Sequence, residues 1–193
     1  MRSCSARTFW IDGQSTNTGT GKLEFDKVSF AYFKWLFHLG QTLGEFNCDL
    51  ITFSKCFFDR IGTAFTVNTF QGLGHVFNEP HIRFVDVFAQ YRAGGDLKIY
   101  GGTIDWETVL LDFAPDVSSG AFGRNTSKYL VSDIKLDSQA NGPNMRLLRM
   151  APGHNYRADI HFVRTHLPGD SVTNPMWVCA GNSVTYITNP YVL

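Results

Sequence analysis

The 193-residue sequence has no run of basic residues, no cysteines at CxxC or Cys/His finger spacing, and no long apolar stretch. Lys plus Arg and Asp plus Glu number 17 each, so the electrostatic footprint of a protein that coats phosphates is missing. A net charge of zero removes the self-repulsion that keeps subunits apart, which suits a chain that lives inside an assembly. Charged residues are scarce at 18%, against 44% apolar and 15% aromatic, and that balance excludes a disordered chain. Residues 30–39 are apolar but interrupted by Lys34 and His38, well short of the ~20 residues of a membrane span, and no signal-peptide stretch opens the chain. A soluble protein, intracellular or particle-borne and without a membrane partner, is the expectation. The scattered cysteines Cys4, Cys48, Cys56 and Cys179 read as reduced, mostly core thiols. Asn125-Thr126-Ser127 fits a glycosylation sequon, which without a secretion signal reads as a chance match.

Signatures of chemistry are also sparse. The closest histidines, His161 and His166, are five apart on an apparent strand and point to opposite faces, and there is no HExxH pattern among them and His38, His75, His81 and His154. No metal site and no cofactor are expected. The GxSxG elbow is absent, and Gly19-Thr20-Gly21-Lys22 lacks the first glycine and the Ser/Thr of a phosphate loop. Asp105, Glu107 and Asp112 offer carboxylates for an acid/base pair, but Asp105 and Glu107 share a strand face only if the strand begins early, and loop carboxylates are common. The expectation is a chain with no catalytic residues.

What is present is β structure. A chain of this size buries roughly 70% of its unfolded surface, enough for one domain. Residues 1–21, polar and Gly-containing toward Gly21, read as a flexible arm, and 22–193 as the single folded domain. Runs rich in Phe, Tyr, Val, Ile and Thr mark strands at 23–32, 50–58, 64–70, 97–100, 108–113, 128–136, 146–150, 158–165 and 183–188, with no internal repeat evident. Period-two alternation in Leu23-Glu24-Phe25-Asp26 and in 159–164 fits strands with one packed face. Between Pro80 and Tyr91 the spacing of Ile82, Val85, Phe88 and Ala89 predicts a short amphipathic helix, stopped by Gly94-Gly95. The fold class expected is all-β, an eight-stranded antiparallel jelly-roll sandwich with one or two short helices.

Three segments carry a resemblance. Residues 78–99 run from Asn78-Glu79-Pro80 through Tyr91-Arg92 to Gly95 and Leu97-Lys98-Ile99, and resemble the "NP" turn, helix and "FAYWRGxLKI"-like strand of picorna-like capsid proteins. Tyr91 stands where Trp is usual, and Ala93 and Gly94 are extra. Residues 109–116 are similar to the family's "VxFxPG" strand end, with Asp116 in place of Gly, and 182–192 to its "xxVTFxVPYV" strand, although the chain stops soon after Val192. The chain most resembles the small single-jelly-roll coat proteins of plant picorna-like viruses, the comovirus and cheravirus group. That resemblance implies a structural subunit that joins sibling coat proteins in a pseudo T=3 icosahedral shell around RNA. It implies a virion location, host cytoplasm during assembly, and only weak or indirect RNA contact. Trp10, Arg92, Trp106 and Trp177 are then candidate interface anchors, because aromatic and Arg residues carry much of such contact energy, while core packing is the alternative for each Trp. Two rivals stand beside it: a carbohydrate- or ligand-binding β-sandwich module, and a hydrolase on a similar scaffold.

Overall fold

Short runs of alternating apolar residues form strands here because β-branched and aromatic side chains pack well on a pleated surface. In the computed structural model, residues 4–11, 22–47, 49–92, 95–113, 127–137, 146–150, 158–167, 177–178, 184–188 and 191–192 are described. One sheet holds β2 (Leu23–Asp26), β5 (Ile51–Ser54), β7 (His75–Asn78), β9 (Leu97–Tyr100), β11 (Ser127–Ser132), β14 (Ala158–Val163) and β17 (Val184–Thr188), neighbours in that order. The other sheet follows β1 (Cys4–Ile11), β4 (Phe33–Asn47), β6 (Phe57–Gln71), β8 (His81–Tyr91), β10 (Thr103–Phe113), β12 (Lys135–Asp137), β15 (His166–Leu167) and β18 (Tyr191–Val192). To it are added β3 (Ser29–Ala31) beside β6, β13 (Arg146–Met150) beside β10, and β16 (Trp177–Val178) beside β13.

Every pairing among the described residues is parallel. Parallel neighbours need a crossover, and here each crossover runs through the opposite sheet, so the chain winds as a solenoid with each coil laid on the one before. The coils differ in length: side-chain hydrogen bonds between adjacent coils join residues 22 apart (His81 and Thr103), 24 apart (Asn78 and Ser54), 28 apart (Arg60 and Tyr32) and 31 apart (Arg164 and Asp133).

The all-β class and two sheets are as expected; the antiparallel jelly roll is not what these residues adopt, and the chain does repeat. No helix occurs among the described residues, and the expected helix is β8. Its residues lie between β6 and β10, and hydrogen bonding to two flanking strands outweighs a helical apolar spacing in so short a segment. Part of the expected arm is likewise a strand. β1 pairs with β4, placing Phe9 on Phe37 at 4.8 Å between ring centroids.

Among the described residues, the coils turn through positive-φ residues at a first corner in six of them and at a second corner in three. The first corner stacks Lys27, Lys55, Glu79, Gly101, Asp133 and Arg164, all left-handed. The N–H of Lys27, Lys55, Glu79, Gly101 and Asp133 donates to the carbonyl of Ser54, Asn78, Tyr100, Ser132 and Val163 in the next coil at 2.7–3.0 Å. The following residue offers its carbonyl in return, from Val28, Cys56, Pro80 and Gly102 to Phe57, His81, Thr103 and Lys135. Because the corner bonds use that position's carbonyl, Pro80 fits there despite having no N–H. Ion pairs between coils, Lys55 with Glu79 at 3.7 Å and Arg164 with Asp133, decorate the ladder. The hydrogen bonds from Arg164 hold the exposed Asp133 carboxyl down at about 2. The second corner stacks Tyr32, Arg60 and Phe84, and divides the larger sheet into a short face (29–31, 57–59, 81–83, 103–105) and a longer one.

Inside, equivalent positions of successive coils sit on one another. Phe25, Phe53 and Phe77 stack at 5.0 and 4.6 Å with ring planes within 16° of parallel. Phe30 on Phe58, and Phe37 beside Phe65, line the facing walls, meeting that column edge-on. Further along, Ile99 and Val131 occupy the column and Ile82, Ile104 and Leu136 the facing wall, all buried. Burial of these rows is the main source of stability.

Phe53→Ala empties the centre of the aromatic column and should cost about 3–5 kcal/mol, read as a lower urea midpoint with an unchanged slope. At Gly102, φ is +80° and an added Cβ would lie 2.1 Å from the Pro80 carbonyl oxygen. Gly102→Ala should therefore destabilise by about 2–4 kcal/mol in the same assay.

Candidate functional site

The sequence-derived anchors are dispersed. Trp106, on β10 opposite Val85, is fully buried, and its indole N–H donates to the Arg146 carbonyl at 3.0 Å. It is a core residue, the alternative given for each Trp. Arg92 closes β8 with its backbone N–H on the Val67 carbonyl and is exposed. Trp10 pairs with His38 and Trp177 with Leu148 along their strands, but their side chains lie outside the described residues. Asn125 and Thr126 of the sequon, with Cys48 and Cys179, also lie outside them. Cys56 is buried at the first corner beside the Phe25 and Ser54 carbonyls, and burial pushes its thiol up.

The carboxylates separate into two settings. Asp112 lies fully buried on β10 between Gln90 of β8 and Arg149 of β13. Arg149 grips it with two bonds, Nε to Oδ1 at 2.8 Å and a terminal nitrogen to Oδ2 at 2.6 Å, and Gln90 adds a third at 2.9 Å. The bond to Asp112 in turn raises the Arg149 guanidinium above its usual value. This fork clamps two coils together and leaves Asp112 no chemistry of its own. Asp105 and Glu107 sit instead where β10 breaks register beside the second corner, Asp105 nearly buried and Glu107 exposed, next to Asp86 of β8. Glu107 is raised above its ordinary 4.5, first by desolvation, then by hydrogen bonding to and repulsion from Asp86, with Asp105 adding to it.

Around that corner the exterior carries the one surface among the described residues where aromatic, cationic and anionic side chains interleave over three coils. Arg60 lies between the rings of Tyr32 and Phe84, its guanidinium carbon 5.4 Å from each centroid, and donates to the Tyr32 hydroxyl at 3.0 Å and to Asp59 at 2.7 Å. Arg83 lies over the Phe84 ring at 5.1 Å, and its Nε is 3.8 Å from the second Asp59 oxygen. Three residues along from Tyr32, Trp35 is 37% exposed with the Lys34 ammonium 4.5 Å from its ring centroid, and Tyr32 itself is 51% exposed. Bulky residues in the left-handed region are unfavourable by about 1–2 kcal/mol each, and stacking against Arg60 offsets part of that for Tyr32 and Phe84. On the short face, His81 stacks on Phe57 at 5.1 Å and bonds Thr103 at 2.6 Å. No group of three or more His, Cys, Asp or Glu among the described residues could hold a metal ion.

Compared with known proteins, the chain matches no family model, no curated protein and no solved structure.

The corner surface could not be found from the linear sequence, because Tyr32, Arg60 and Phe84 are far apart along the chain and meet only through stacking of the coils. Since Glu107 binds its proton more tightly in the folded state, it contributes stability that is fully present below about pH 4.5 and lost as pH rises through the raised value. Glu107→Gln should flatten that decline and raise the melting temperature at neutral pH. Parallel melting curves of the variant and the parent from about pH 4.5 to 8 would refute the Asp86–Glu107 coupling.

Proposed function

We propose that the chain is a binding module that recognises a carbohydrate through the second corner of its solenoid. The observation that supports this reading is the ladder of Tyr32, Arg60 and Phe84 across three coils, with the exposed Trp35 beside it. Aromatic faces receive the apolar C–H surface of a sugar ring, and flanking guanidinium and carboxylate groups supply paired donors and acceptors for its hydroxyls. Charge argues for an uncharged ligand: Lys34, Arg60 and Arg83 stand among Asp59, Asp86, Asp105 and Glu107, so no field accumulates to attract a phosphate chain. Binding, without bond cleavage, is the activity proposed, as Asp112 is engaged by Arg149 and Gln90.

The coat-subunit reading drew on three segments, 78–99, 109–116 and 182–192, the first taken as a turn, a helix and a strand. In that first segment the expected helix is the strand β8, and β9 follows in the opposite sheet.

A glycan array followed by calorimetry on the best oligosaccharide tests the proposal. Tyr32→Ala and Trp35→Ala, both at exposed positions, should each weaken binding about tenfold, equivalent to ~1.4 kcal/mol, with Trp35→Ala leaving the melting temperature nearly unchanged. Absence of any bound glycan, or equal affinity in both variants and the parent, would overturn it.

A further inference from the structure

We draw no further inference here: the strongest candidate, the carboxylate cluster of Asp86, Asp105 and Glu107 where β10 breaks register beside the second corner, is a group of acidic side chains alone, and nothing in the structure shows what it would hold.

Discussion

The first corner carries the architecture. A left-handed residue there turns the chain between sheets while giving its N–H to one coil, and the next residue gives its carbonyl to link the coils again. The corner stays two residues long from Lys27-Val28 to Arg164-Thr165, with one left-handed residue in each except at Gly101-Gly102, where glycine allows two. That constant length sets the phase of everything after it. Side chains alternate with period two, so a slip of one residue would turn Phe30, Phe58 and Ile82 out of the core. Variation in coil length is absorbed elsewhere, in the connections from the larger sheet back to the smaller, and in later coils also between β12 and β13 and between β15 and β16.

Much of the strand content was legible in the sequence, and the connectivity was not. Alternation marked strands at 23–26 and 159–164 because their inner and outer positions differ in polarity. Whether strands pair parallel or antiparallel leaves no such mark locally. The signal lay in a recurring frame: Leu23, Phe25 and Phe30; Ile51, Phe53 and Phe58; Leu97, Ile99 and Ile104; Tyr129, Val131 and Leu136; Ile160, Phe162 and Leu167. In each the third apolar residue follows the second by five, across the corner. Unequal connections between frames disguise the period, and the corner accepts Lys, Glu, Gly, Asp and Arg alike, so no signature residue announces it. The helix assigned to 80–91 failed for a related reason: at Phe84 the backbone adopts positive φ, and the break shifts the apolar phase into a spacing that mimics a helix.

The surface chemistry was legible only in part. Asp105 and Glu107 stood out as neighbouring carboxylates, but their partner Asp86 belongs to the preceding coil. Asp112 looked equivalent to them and is not, because the strand between places it under Arg149 and Gln90, a structural clamp instead of an exposed acid. Trp106 was a candidate interface anchor because aromatic residues carry much of such contact energy, with the core as the alternative; its indole N–H finds the Arg146 carbonyl, which offsets the penalty for burying it. Tyr32 and Trp35, by contrast, have neighbours in sequence that suggest a buried strand, and only the corner's geometry turns them outward.

The aromatic column is uneven. Three successive rings, Phe25, Phe53 and Phe77, belong to the early coils, Ile99 and Val131 continue the row with aliphatic side chains, and Phe162 returns a ring to it. In a solenoid each coil is stabilised by its immediate neighbours, so order spreads outward from wherever those contacts are strongest. The three successive stacked rings lie in the early coils, which leave a ribosome before the later ones. Early coils can close on one another and serve as a template while the rest of the chain is still being made, so that elongation by synthesis and elongation of the fold proceed in the same direction.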